Sequence, residues 1–169
     1  MENFNNGITR RERAVTDREE IVRILDKCQV IHIGMLDGEE VYVIPMNYGY
    51  VLEEDQLTFY VHGAKKGRKM DVVMANPKVS FEMECDVNPF SGKTACQYGT
   101  SYSCIMGKGI ASIVENPEEK LGALSVMMKT QTGKEFTFTE KMASIVNVIK
   151  IEVTGYSVKK RPVPGTQES

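Results

Sequence analysis

Pro45-Met-Asn-Tyr-Gly-Tyr50, Phe59-Tyr-Val-His62 and Gly63-Ala-Lys-Lys-Gly-Arg-Lys-Met70 form the stretch whose reading decides the fold of this 169-residue chain. Val41 to Tyr50 and Leu57 to His62 are rich in β-branched and aromatic residues, which suit a pleated, half-buried surface. Glu53-Glu-Asp-Gln56 between them is too polar to be anything but a turn, so the pair reads as a hairpin. After His62 come Lys65, Lys66, Arg68 and Lys69, set around Gly67 and opening a helical run, Arg68 to Ala75, that Asn76-Pro77 stops. A helix N-terminus carries about half a positive charge, so cations there are repelled unless an anion neutralises them. An anion would also collect free backbone N–H groups, and the glycines let the backbone approach it, which matches a phosphate monoester. The alternative is a solvated basic loop, because Gly63 to Lys69 lacks the spacing and the Gly-Lys-Ser/Thr ending of a P-loop.

Working outward, the length and a hydrophobic content of 41% support one domain with its own core. The net charge of −2 gives no electrostatic footprint for nucleic acid or an anionic membrane, so any anion preference is local. No apolar run approaches the ~20 residues of a membrane span and the start of the chain has no apolar signal core, so a cytoplasmic protein is expected. Cys28, Cys85, Cys96 and Cys104 show no Cys-x-x-Cys pair and no histidines at zinc spacing; reduced thiols and no metal are expected.

Residues 1–15 are polar and read as an arm, 16–158 as the domain and 159–169 as a tail whose Pro162 and Pro164 bar central pairing. Thr16-Asp-Arg-Glu19 suggests a capping box before a helix with Ile21, Ile24, Leu25 and Cys28 on one stripe. Val30 to Met35 reads as a strand with Asp37-Gly38 as its turn. Val79 to Asp86 alternates apolar and polar residues and is predicted half-buried, with Asn88 to Thr94 a loop. Ser101 to Glu115 is a long strand in which Gly107 and Gly109 suggest close backbone approach or a bulge. Asn116-Pro-Glu-Glu119 starts another helix that Gly133 ends, Thr139 opens a further helical turn or two, and Val146 to Val158 is the last strand. Six strands, mostly hairpin-connected, with flanking helices close most economically as an antiparallel barrel, which leaves no exposed edges. Asn47, in mid-strand, reads as a buried amide that needs partners.

Ile44-Pro-Met-Asn-Tyr-Gly-Tyr50, His62-Gly-Ala-Lys-Lys-Gly-Arg-Lys69, Asn76-Pro-Lys-Val-Ser-Phe-Glu82, Thr94-Ala-Cys96 and Gly107-Lys-Gly-Ile-Ala111 together resemble the nitroimidazole-resistance (Nim) family of pyridoxamine 5′-phosphate oxidase-like proteins, over roughly Thr16 to Pro164. The resemblance implies a mainly β protein with flanking helices, a six-stranded split β-barrel, forming a homodimer that binds flavin mononucleotide (FMN) between its subunits. The cofactor-binding residues it implies are Pro45, Met46 and Asn47 bordering the flavin ring, His62, Gly63 and Ala64 beside the ribityl chain and ring, Arg68 and Lys69 on the phosphate within the basic loop, and Ile44, Tyr60, Lys65 and Gly67 alongside them. Tyr102, Ser103 and Met106 would come from the second subunit. Ser103 and Cys104 stand where the family pattern has Arg and Ser, and nothing marks a pyridoxine phosphate substrate, so vitamin B6 oxidase activity is not expected.

Two function classes follow. In one, an oxidoreductase passes electrons from reduced FMN to a small electron-poor aromatic such as a nitroimidazole, with no catalytic side chain assigned. In the other, a non-catalytic protein stores or senses FMN, or holds haem with His62 or His32 on the iron. Otherwise His32 reads as a sheet-surface histidine and Cys104 as a small core residue.

Overall fold

The predicted strand Val41 to Tyr50 breaks at Asn47, and that break organises the barrel. A computed structural model describes residues 9–165. In chain order they form α1 (Arg18–Lys27), β1 (Ile31–Asp37), β2 (Glu40–Met46), β3 (Tyr48–Glu53), β4 (Gln56–Ala64), α2 (Arg68–Ala75), β5 (Lys78–Phe90), β6 (Gly99–Ile113), α3 (Pro117–Thr132), α4 (Glu140–Ala143) and β7 (Val146–Arg161). The strands make one antiparallel sheet in the order β2-β1-β5-β6-β7-β4-β3. Met46 pairs with Ile31 at one edge and Tyr48 with Val61 at the other, so Asn47 alone joins the two edges. The sheet therefore curls into a split barrel, and the strand count is seven rather than six.

The period-two alternation of the sequence fills the interior. Ile31, Ile33 and Met35 of β1, Leu57, Phe59 and Val61 of β4, and Val79, Phe81, Met83 and Cys85 of β5 are buried in one cluster. Tyr48, Phe59 and Phe81 cross it edge to face, with ring centroids 5.6 and 5.1 Å apart. α1 packs Ile21, Ile24 and Leu25 on the same cluster, and the buried Tyr48 hydroxyl, 2.6 Å from the Leu25 carbonyl and 3.0 Å from that of Cys28, satisfies the end of that helix.

Several boundaries differ from the sequence reading. The cap of α1 is Asp17, whose carboxylate accepts from the Glu20 N–H at 2.9 Å, rather than Thr16; an aspartate in extended backbone serves as well, and Glu20 turns to Arg23. β5 does not end at Asp86 but passes through a bulge, with Asp86 at φ 58°, and pairs again from Asn88 to Phe90. β7 runs on to Arg161, and residues 14 and 15 bond to it, with Val15 N–H on the Val158 carbonyl at 2.9 Å. Residues 1–8 of the expected arm and 166–169 of the tail lie outside the described residues. The four cysteines are unpaired. Close approach does occur at Gly107, beside the Gly155 carbonyl and Phe81, and the β6–β7 register shifts between Lys108 and Gly109.

α3 has the predicted Asn116 cap, Pro117 in its first turn and Gly133 in the left-handed conformation after it. Ala123, Leu124 and Met127 are buried in a second cluster with Val114, Ala143 and Val148. The helix lies directly on β3 because Gly49 has no side chain: a Cβ there would stand 2.5 Å from the Met127 backbone. Gly49→Ala should therefore lift α3 and lower stability by about 1–3 kcal/mol, the usual cost of overpacking. Urea denaturation followed by circular dichroism measures it, and an unchanged midpoint would contradict this packing.

Candidate functional site

The end of β4 and the start of α2 bring the basic loop to a corner beside the β2–β3 break. Gly67 caps α2 at φ 132° and ψ 166°, a conformation open to glycine, and the first helical bonds come from the Met70 and Asp71 N–H groups to its carbonyl. The amides of Arg68 and Lys69 thus sit in the unbonded first turn. Asn147 of β7 donates to the Lys65 carbonyl at 3.2 Å and anchors the loop. Lys69 lies across Gly63, whose missing Cβ would meet its Nζ at 2.5 Å, and reaches Met46 Sδ at 3.8 Å. Among the described residues no carboxylate pairs with Lys69, and partial burial lowers its pKa. His62 is pushed below the usual imidazole range by desolvation first and by the Lys69 charge second.

Arg68 points elsewhere. Its Nε lies 2.7 Å from Asp37 and its Nη2 2.9 Å from Glu40, while the guanidinium stacks 4.7 Å over the Tyr42 ring. Both carboxylates flank the β1–β2 turn, so Arg68 ties that turn to α2. Lys65, Lys66, Gly67 and Ala64 are exposed around it.

On β2, Ile44 and Met46 turn towards the core and Pro45 faces out. Asn47 is exposed rather than buried: its Nδ2 donates to the Gln29 carbonyl at 3.1 Å and to Gln131 Oε1 at 3.2 Å, and Gln131 Nε2 donates to the Tyr48 carbonyl at 2.8 Å. The sequence reading missed Gln131, although it continues the apolar α3 stripe one turn beyond Met127, where a polar residue needs a reason. Tyr60 packs under α3, its hydroxyl 3.5 Å from Glu119, which also pairs with Lys150 at 3.2 Å.

Tyr102 and Ser103 are not brought to this corner. Gly63 pairs with Asn147 of β7 but Tyr102 pairs with Arg161, fourteen residues further along the same strand, or about 45 Å of contour at roughly 3.3 Å per residue. Ser103 is buried on the α1 side, where Arg23 Nη2 donates to it at 3.4 Å and its Oγ lies 3.5 Å from Asp86. That end holds a cleft of about 340 Å³ lined by Arg23, Asp86, Ser103, Lys160 and Arg161 among others. Most of its ions are matched: Arg23 bridges Glu20 and Asp86, Lys27 reaches Asp86, and Lys160 pairs with Glu20, while Arg161 stacks 4.9 Å over the Phe90 ring. Hydrogen bonds from Arg23 and Lys27 respectively hold Glu20 and Asp86 below the usual carboxylate range.

The outer face of β2, β1, β5 and β6 forms a cross-strand row of Pro45, His32, Glu82 and Met106. His32 Nδ1 stands 3.5 Å from Glu82 Oε2. Burial and then the neighbouring Glu84 push the Glu82 carboxyl up to about 7. The sequence alternation placed Glu82 and Glu84 on one face but could not show that His32 faces them from another strand.

A family model described as pyridoxamine 5′-phosphate oxidase matches residues 17–160. No curated protein matches the chain. Among solved structures, a candidate 5-nitroimidazole antibiotic resistance protein from Bacteroides thetaiotaomicron is 27% identical, with a TM-score of 0.73 over 87% of this chain and 86% of that one. A flavocytochrome from Azotobacter vinelandii aligns with a TM-score of 0.74 at 17% identity, covering 96% of this chain and 76% of its own. An FAD- and haem-binding protein from Mycobacterium smegmatis gives 0.75 at 13%, covering 93% and 76%; these two share the fold. With most of its length matched by the family model, the chain belongs to the pyridoxamine 5′-phosphate oxidase family.

Proposed function

We propose that this protein is an FMN-dependent oxidoreductase that passes electrons to a small electron-poor aromatic such as a nitroimidazole. Lys69 carries the reading. It is a partly desolvated ammonium with no acid partner among the described residues, set in the first turn of a helix whose dipole disfavours it, and an anion offsets both costs. Arg23, Lys150 and Lys160, half-buried as well, do have carboxylates. The phosphate monoester of FMN is such an anion, held by Lys69, Lys65 or Lys66 and the amides of Arg68 and Lys69, while Arg68 positions the loop. Bound there, reduced FMN supplies a hydride equivalent to the acceptor. The chain's own part is to orient and to exclude water: Pro45 and Met46 border one side of the corner, and a neutral His62 stands beside it as a hydrogen-bond group.

The span of β7 also supports a homodimer. If Tyr102 walls the same flavin, it must come from a second chain, because one chain keeps it at the far end of the strand. The name of the Bacteroides relative, with the 27% identity, supports the nitroimidazole class of acceptor.

Three outcomes are expected. FMN should bind far more tightly than riboflavin, and Lys69→Ala should weaken FMN by about 1.5–3 kcal/mol, the scale of one charge-assisted hydrogen bond, leaving riboflavin unaffected. Calorimetric titration of both flavins measures this; equal affinities would remove the phosphate assignment, and a haem spectrum in the purified protein would favour the binding-protein alternative. Sedimentation of the FMN complex should give a dimer, and a monomer with undiminished affinity would refute the shared site. Under anaerobic stopped flow, a nitroimidazole should reoxidise the reduced complex; a flavin that stays reduced in excess acceptor excludes this activity.

A further inference from the structure

We propose that the outer face of β1 and β5 carries a divalent-cation site, suited to zinc, formed by His32, Glu82 and Glu84. One ligand atom from each of the three lies within 4.8 Å of the others. The His32–Glu82 pair is informative. His32 Nδ1 is shielded from solvent and makes no hydrogen bond, yet Glu82 Oε2 stands only 3.5 Å away. That gap is long for a charge-assisted hydrogen bond, which closes to about 2.7–2.9 Å. It is instead the edge of a coordination shell: two donors about 2.0–2.2 Å from one ion, at the tetrahedral angle, are separated by roughly 3.4 Å.

Without an ion the arrangement is costly. An orphaned buried nitrogen forfeits its hydration, and two adjacent carboxylates repel. A cation relieves both. The sheet also holds the donors in place, because His32 is directly opposite Glu82 in the β1–β5 ladder and Glu84 is the next residue on that face. Coming from two strands, the set lacks the short spacing by which zinc ligands are read from a sequence, so it was not foreseen. The imidazole disfavours magnesium and calcium, which take oxygen donors, whereas one nitrogen and two carboxylate oxygens suit zinc with a fourth position left to water. In the single chain the side chains of His32 and Glu82 are 40% and 41% exposed, so an ion can reach them before a second chain covers the face.

Chelator-stripped protein titrated with zinc chloride in a calorimeter should bind one ion per chain, while magnesium chloride gives no saturable heat. His32→Ala, Glu82→Gln and Glu84→Gln should each weaken zinc at least tenfold, and Cys96→Ser, removing the exposed thiol, should leave it unchanged. The chain has two histidines, so nuclear magnetic resonance of the unmutated protein gives a readout independent of variant folding. Zinc should shift the His32 ring signals at one equivalent, before those of His62. Absence of saturable binding, affinity unchanged by the His32 and Glu82 variants, loss of binding in Cys96→Ser, or an unmoved His32 signal would each overturn the proposal.

Discussion

One chain segment has to serve both edges of the sheet, and the remaining architecture accommodates that. β2 needs β1 and β3 needs β4, and between Met46 and Tyr48 there is one residue to make the exchange. At that point the backbone leaves one ladder before it has joined the other, and polar groups left unpaired there would be costly. Gln131 closes the gap, accepting from Asn47 and donating to the Tyr48 carbonyl. It can do so only because α3 lies hard against β3, which in turn requires Gly49. A glycine, a glutamine and a mid-strand asparagine from distant parts of the sequence thus have one common cause. The same exchange brings Met46, at the end of β2, beside Gly63, at the end of β4, and so makes the corner across which Lys69 lies.

Charge placement separates structural ions from functional ones. Exposed pairs such as Arg68 with Asp37 and Glu40 contribute little to stability in solvent, so their effect is mainly positional: they hold the β1–β2 turn against α2. The network of Arg23, Glu20, Asp86, Lys27 and Lys160 does the same for α1 against the far end of β5, where the bulge at Asp86 re-aims its carboxylate. Lys69 and the His32–Glu82–Glu84 group break this pattern of matched charge, one as a cation without an acid and the other as donors without a cation. With a net charge of −2 the molecule has no general need for either kind of ion, which makes the two local imbalances informative.

Much of the fold was legible because local signals and tertiary structure agree. The 68–75 helix, the flawless alternation of β5, the Asn116-Pro117 start and the Gly133 stop are set within a few residues, and burial reinforced each of them. The reading failed where a distant partner decides. Val41 to Tyr50 looks like one strand because its composition is uniform; only closure of the barrel splits it. Asn47 seemed buried because its neighbours alternate, yet α3 and Gln29 supply its partners at the surface. Arg68 sits in a basic run that suggests one shared anion, but Asp37 and Glu40, about thirty positions earlier, claim it. Cross-strand register has the same effect on His32, whose partners stand some fifty residues away on β5.

The way the barrel is filled limits where any flat ligand can lie. Inward positions are occupied by Phe59, Phe81, Met83 and their neighbours at full burial, so an isoalloxazine-sized ring has no room inside and must rest on the outer surface. There the β2–β1 side exposes Leu36, Val41 and Val43 at 48, 75 and 57%, apolar area that a lone chain leaves in water. A second chain laid on that face would cover it and could bring its own Tyr102 side to the Pro45 corner, the pairing that the span of β7 denies to a single chain. Burial of that surface and completion of the cofactor wall would then be one event, so a change that weakens the interface should weaken flavin binding with it.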